Sequence, residues 1–131
     1  MDLAAERTNG DFVRAQILAG TVRACHDISD GGVLVALAEM AMASGVGARV
    51  FTHPREVPGH AFWFGEDQGR YLLAVPDAGS FIRAAEAASV PAMRIGTSGG
   101  KDLTLPDGGT ISVAALRAAH ERFLPHWMDE T

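Results

Sequence analysis

From Val33 to Ala43 every residue except Glu39 is apolar, a run of three helical turns with no polar face to turn towards water. It predicts the most buried helix of the chain. Ser29 or Asp30 stands at its N-cap, Gly31 and Gly32 lie in its first turn, and it runs to Ser44 before Gly45 and Gly47 stop it. Upstream, Phe12, Val13, Gln16 and Ile17 recur at the spacing of one helix face. They predict a helix from Phe12 to Ala19, capped by Asn9 or Asp11 and stopped by Gly20. Between the two, Val22 to His26 is short, partly β-branched and bounded by turn formers, so it reads as a strand.

Downstream the period shortens. Ala48 to Phe51 reads as a strand, and the stretch from residue 52 to residue 60, with two prolines and a glycine, as an exposed connection. Phe62 to Phe64 and Tyr71 to Val75 read as strand or core segments around a polar turn, Gly65 to Arg70. Pro76 and Asp77 open a helix from Ala78 to Ala88 with Phe81, Ile82 and Ala85 facing inward. Ala92 to Thr97 and Leu103 to Leu105 read as strands, and Pro106 to Gly109 as a hairpin turn leading to Thr110 and Ile111. Ser112 can cap a last helix in which Leu116, Ala119, His120 and Phe123 share a face, ended by Pro125. Phe123, Trp127 and Met128 serve as packing groups of this helix and its tail. The pattern predicts an α+β fold: a single domain over residues 1–131, with a mixed β-sheet of about four to six strands covered by helices.

Composition narrows the function. The chain has 131 residues, 47% of them hydrophobic, and a formal net charge of −5 with no cluster of Lys or Arg. Nucleic-acid and anionic-membrane surfaces need concentrated positive charge, so neither is an expected partner. The single cysteine, Cys25, cannot build a disulfide framework and reads as a small buried strand residue. The Val33–Ala43 run is too short to span a bilayer, and the first residues lack a signal-peptide layout. The expected compartment is the cytoplasm.

Chemistry concentrates in two places. The first is His26-Asp27-Ile28-Ser29-Asp30-Gly31-Gly32, where a strand end, a glycine-bearing turn and a helix start meet. Helix N-termini offer backbone N–H groups and a positive dipole end to phosphate, glycines permit close approach, and Ser29 can donate a hydroxyl. Asp27 and Asp30 would repel a bare anion, but they suit a phosphate that carries Mg²⁺. The competing reading is a plain N-cap at Ser29 or Asp30. The stretch lacks the lysine of a Walker loop. The second place is Gly65-Glu66-Asp67-Gln68-Gly69-Arg70, where Glu66 or Asp67 could hold a cation and Arg70 a phosphate, or Glu66 and Arg70 could pair to order the turn. Glu39, on an apolar helix, needs a partner if it is buried. The five histidines, at 26, 53, 60, 120 and 126, show no metal-ligand spacing. The Gly99–Lys101 turn is a weak phosphate candidate.

Taken together, "HDISDGGVLVALAEMA" and "FGEDQGRYLLAV" resemble the C-terminal domain shared by the aminoimidazole ribonucleotide synthetase superfamily, and within it the last domain of the phosphoribosylformylglycinamidine synthase family. The closing "LRAAHERFLPHWM" is similar to that family's final helix. The resemblance implies ATP-dependent amidation of formylglycinamide ribonucleotide in purine synthesis, a C–N ligase reaction using ammonia from a glutaminase. It implies that this chain is one domain of a longer synthetase and is inactive alone. The partners it implies are the remaining domains of the synthetase chain, a glutaminase subunit, a small accessory subunit and a small-molecule substrate. By position, Asp27 would meet a Mg²⁺-bound phosphate, Ser29 a phosphate oxygen, and Gly31 and Gly32 would allow close approach. His26 and Asp30 would shape the loop, with ATP and Mg²⁺ as cofactors of the complete enzyme. The same domain of another superfamily member and a non-catalytic scaffold or dimerisation module are the rival readings.

Overall fold

The structure, a computed structural model, describes residues 2–51, 53–67 and 69–129, without the side chains of 123–127 and 129. The expected roles of Gln68 and of the Phe123, His126 and Trp127 side chains lie outside the described residues. The elements in chain order are α1 (Leu3–Leu18), β1 (Ala24–Asp27), α2 (Gly32–Ser44), β2 (Ala48–Val50), α3 (Gly59–Phe64), β3 (Tyr71–Ala74), α4 (Ala78–Ala87), β4 (Gly96–Ser98), β5 (Asp102–Thr104), β6 (Thr110–Ser112) and α5 (Val113–Asp129). The fold is α+β, with six strands among the described residues. They form two sheets instead of one, and the contacts divide the chain into two compact units, residues 1–37 with 53–94 and residues 38–52 with 95–131.

In the first unit β1 and β3 pair antiparallel, with Ala24 opposite Ala74 and Asp27 opposite Tyr71. Helix α1 starts nine residues earlier than the apolar spacing suggests. Ala4, Ala5, Glu6 and Arg7 are strong helix formers, and Asp2 caps them by accepting the N–H groups of Ala4 and Ala5 at 3.1 Å each. Gly10 therefore sits inside the helix, where a Cβ would lie 3.2 Å from the Tyr71 hydroxyl oxygen. The Phe62–Phe64 segment is the single-turn helix α3, not a strand. An apolar run this short has no diagnostic period. One helical turn after Pro58 buries Trp63, sets it edge-on to Phe62 and leaves Phe64 exposed. Val13, Ile28, Val33, Ala36, Trp63, Ala85 and Val90 form this unit's core.

Asp77 caps α4, accepting the Ser80 N–H at 3.0 Å and the Ser80 hydroxyl at 2.7 Å. The Ser80 hydroxyl bond first, then the Ser80 N–H, hold its carboxyl below the usual carboxylate range. The folded-state value being depressed, this cap stabilises the fold above the unfolded carboxylate value and is lost as pH falls through the lower folded value. Asp77→Asn is therefore expected to flatten the acid limb of an equilibrium-unfolding profile below about pH 4 while leaving its neutral shape unchanged.

In the second unit the sheet order is β4-β2-β5-β6, with β2 parallel to β5 and the other pairs antiparallel. The expected hairpin joins β5 to β6, with Gly108 at positive φ and Asp107 Oδ1 accepting the Gly109 N–H at 2.8 Å. Strand β4 is shorter and later than Ala92–Thr97. Ser112 caps α5 by accepting the Ala115 N–H at 3.0 Å. Helix α5 continues through Pro125 to Asp129, because proline forfeits one backbone bond yet keeps a helical φ. Met128, expected to pack, is exposed. The C-terminal end of α2 is closed by Gly45 at positive φ, by Lys101 Nζ donating to Gly45 O at 3.3 Å and by Arg117 donating to Met42 O.

Helix α2 carries three core residues, Val33, Ala36 and Ala41, more than any other helix among the described residues. Glu39 is exposed, so no burial cost attaches to it. Cys25 is exposed as well, contrary to the expectation of a buried strand residue, because β1 belongs to a two-stranded sheet left open on its Cys25 side. Partial desolvation and then the charge of Asp27 push its thiol up, so it keeps its proton at neutral pH.

Candidate functional site

The two polar clusters of the sequence fold onto one another. Asp27 ends β1 opposite Tyr71, and the ladder continues one residue further, the Ile28 N–H donating to Arg70 O at 2.9 Å. Buried Ile28 anchors the loop, leaving Ser29 and Asp30 exposed on either side of its turn. The two loops enclose a cleft of about 270 Å³ lined by Asp27, Ser29, Asp30, Glu66, Arg70 and Tyr71, with Glu6 of α1 closing one side.

Each loop is held by specific bonds. Glu66 Oε1 accepts the Gly31 N–H at 2.9 Å. Arg70 donates to Asp67 at 3.1 Å and to Phe62 O at 3.1 Å, and its guanidinium lies 5.1 Å from the centre of the Phe62 ring. The expected Glu66–Arg70 pair is thus replaced by Asp67–Arg70, since Glu66 points across to the other loop. Asn9 donates to Gly69 O at 3.3 Å, tying α1 to the same turn. His26 Nδ1 donates to the Asp27 backbone oxygen at 2.6 Å and lies 3.5 Å from Asp27 Oδ1, so the imidazole sits against Asp27's own backbone.

The plain-cap reading of the loop fails on geometry. Among the described residues no side-chain bond from Ser29 or Asp30 caps α2; the Gly32 N–H goes to Ser29 O at 3.0 Å, closing a turn, and Glu66 takes the Gly31 N–H. Both glycines have reasons within the chain. Gly31 and Gly32 have φ of +81° and +73°, and a Cβ on Gly32 would stand 2.7 Å from Trp63 O.

The Asp27 side chain is 73% exposed and reaches into the cleft. Among the described residues no three His, Cys, Asp or Glu side chains are placed to hold a metal ion together. Gly69 of the second cluster also lines the cleft, as do Glu6 and Tyr71, which stand outside both polar clusters. Tyr71 could have been found from strand register, as the residue opposite Asp27; Glu6 could not, lying before the apolar spacing that marks α1.

A fold of this kind, with a strand-loop-helix cleft closed by a Gly-Glu-Asp turn, defines a class. A family profile described as AIR synthase related protein, C-terminal domain, matches residues 1–106, and the chain belongs to that family. Its relatives are more particular. The chain is 56% identical over 97% of its length to the phosphoribosylformylglycinamidine synthase subunit PurL of Acidiphilium cryptum, and 58% identical over 98% to that of Parvibaculum lavamentivorans. It spans 18% of the length of these curated relatives. Thermotoga maritima PurL complexed with ATP matches the fold with a TM-score of 0.70 at 17% identity, over 84% of this chain and 21% of that one. T. maritima PurL complexed with FGAR matches with a TM-score of 0.69 at 17% identity, over 86% and 21%. Among the described residues, no helix is long and apolar enough to cross a membrane.

Proposed function

We propose that this chain is the closing C-terminal-type domain, one structural domain over residues 1–131, of a phosphoribosylformylglycinamidine synthase. It contributes half of a site for a Mg²⁺-bound phosphate. The observation that carries this reading is the meeting of the two sequence motifs in one cleft, joined by the Glu66–Gly31 bond across 35 positions of chain. Identity above 50% to PurL subunits over nearly the whole chain supports the particular enzyme. The reaction is ATP-dependent amidation of formylglycinamide ribonucleotide, completed by the remaining domains of the synthetase chain, a glutaminase subunit and a small accessory subunit in the cytoplasm.

In this reading Asp27 contacts the Mg²⁺ that accompanies the phosphate, and Ser29 donates its hydroxyl to a phosphate oxygen. Gly31 and Gly32 give the loop the positive-φ turn that lets the phosphate approach its backbone, while His26 and Asp30 shape the loop. The Mg²⁺ supplies charge neutralisation of the phosphate when bound. Asp27→Ala and Ser29→Ala, each made in the full-length enzyme, are expected to lower kcat/KM by about 100-fold or more for Asp27 and about tenfold for Ser29. The melting temperature should stay at the parent value, since neither side chain is buried or caps α2. Unchanged turnover in both variants would remove the site reading.

A further inference from the structure

We infer that Arg70 is a positioning residue and not a contact to phosphate: its guanidinium fixes the end of α3 and the 65–70 turn, and through them the Asp27–Gly32 loop. Resting on the metal–phosphate reading above, this role names what holds the loop that carries Asp27 and Ser29.

Arg70 is the one cation among the described residues that line the cleft, and by charge alone it is the group expected to meet a phosphate. Its bonds point elsewhere. Nη2 donates to Phe62 O at 3.1 Å, Nη1 donates to Asp67 Oδ2 at 3.1 Å, and the guanidinium carbon lies 5.1 Å from the centre of the Phe62 ring. Both terminal nitrogens and one face of the planar group are thus engaged within the chain. The Asp67 carboxylate is 77% exposed, and an ion pair there contributes little by itself. The hold on Phe62 is the stronger part. Its carbonyl lies in the last turn of α3, where helix geometry leaves carbonyls without an internal partner, and Arg70 supplies one.

Three attachments of the loop run to this same assembly. The Ile28 N–H donates to the carbonyl of Arg70 itself at 2.9 Å, and the Gly31 N–H donates to Glu66 Oε1 at 2.9 Å. Gly32 lies so close to the end of α3 that a Cβ would stand 2.7 Å from Trp63 O. Glu66 adjoins Asp67, and Trp63 adjoins Phe62. Each side-chain bond of Arg70 therefore fixes the chain neighbour of a residue on which the loop rests. Lysine would keep the charge but offer one nitrogen in place of two held in a fixed plane.

The test uses the full-length enzyme, with kcat/KM for ATP measured per folded protein and amide hydrogen exchange read at Ile28 and Gly31. Arg70→Lys and Arg70→Gln should lose alike, about tenfold each, because neither restores the two-point hold. In an Asp27→Ala background, where the positioned carboxylate is gone, the same substitutions should cost about twofold or less. A direct phosphate contact gives another pattern: lysine keeps most of the activity, glutamine loses it, and that loss is the same with or without Asp27. A purely folding role lowers the folded fraction and leaves kcat/KM of the remainder at the parent value. Either pattern overturns the proposal. The Ile28 and Gly31 amides should also exchange about tenfold faster in both variants, and parent-rate exchange overturns the proposal as well. Arg70→Gln carries the background comparison and the exchange if the lysine variant fails to fold. Faster exchange together with unchanged turnover in Asp27→Ala and Ser29→Ala keeps the loop-holding role of Arg70 and removes the metal–phosphate reading instead.

Discussion

Gly32→Ala is expected to destabilise the fold by about 3 kcal/mol or more, and to abolish activity of the full-length enzyme by displacing the loop. Two costs add. An alanine at φ +73° occupies left-handed backbone space, at about 1–2 kcal/mol. Its Cβ would also stand 2.7 Å from Trp63 O and from the Phe64 carbonyl carbon, and 2.8 Å from Phe64 Cα. All three are backbone atoms at the end of α3, beside buried Trp63, so no rotamer change relieves the clash, and overpacking of this kind costs about 1–3 kcal/mol. Gly31→Ala separates the two effects. Its φ is similar, but its Cβ would meet the Val35 side chain, with Cγ2 at 2.4 Å, and Val35 is exposed. Gly31→Ala should therefore cost less than Gly32→Ala and be partly rescued by Val35→Ala. No side-chain truncation should rescue Gly32→Ala. Denaturant midpoints of Gly32→Ala, Gly31→Ala and each combined with Val35→Ala check this, and equal losses at positions 31 and 32 would show that backbone conformation, not the contact with α3, sets the requirement.

What could be read from the sequence follows which interactions are local. Helix α2, the hairpin at Pro106–Gly109 and the Ser112 cap are written in contiguous residues: an apolar run, a turn tetrapeptide and an N-cap serine. Each stands where it was expected. Helix α1 extends ahead of its apolar spacing because its first turns are alanine, glutamate and arginine, good helix formers that carry no apolar stripe. Residues Phe62–Phe64 read as a strand or core segment because three apolar residues cannot reveal a period; Trp63 does enter the core, and the helical form depends on Pro58 before it. The division of six strands into two sheets is likewise non-local. Strand β1 takes β3 as partner and β2 takes β5, and no residue in either strand announces that choice.

The cleft follows the same division. Both motifs were visible as polar clusters, and their membership of one cleft follows from the β1–β3 register, which carries Asp27 to Tyr71 and so draws the preceding turn alongside the loop. What the residues alone did not reveal is who pairs with whom. Spacing suggested a Glu66–Arg70 ion pair, whereas Asp67 takes the guanidinium and Glu66 crosses to Gly31. The glycines carried a further ambiguity. A glycine demanded by a ligand and one demanded by neighbouring backbone read alike, and at Gly32 the backbone of α3 supplies the demand.

Gly47→Ala is expected to cost about as much stability as Gly32→Ala, by a different route. Gly47 follows α2 and reads in sequence as part of a helix stop, a role that Gly45 fills at φ +69°. Gly47 is instead a packing position, buried just before β2, where a Cβ would lie 2.2 Å from Asp102 O and 2.6 Å from Asp102 N. Two backbone bonds hold it there: its N–H donates to Gly100 O at 3.0 Å, and its carbonyl accepts the Gly99 N–H at 2.8 Å. A methyl group between them must push the start of β5 away from β2, and the parallel pairing of Ala48 with Leu103 begins one residue later. Buried Leu103 and Ala48 would lose their contacts with the ladder, so a loss of roughly 3 kcal/mol is expected. None of the cleft-lining residues belongs to this unit. In the full-length enzyme the remaining folded fraction of Gly47→Ala should therefore keep the parent KM, with activity lost in proportion to unfolded protein, whereas Gly32→Ala should lose activity in the folded fraction as well. Gly45→Ala is the control, since a Cβ there meets nothing within 4 Å and only its positive φ is strained. A Gly45→Ala loss equal to that of Gly47→Ala would show that ending the helix, and not the close approach to β5, is what the Gly45–Gly47 segment is for.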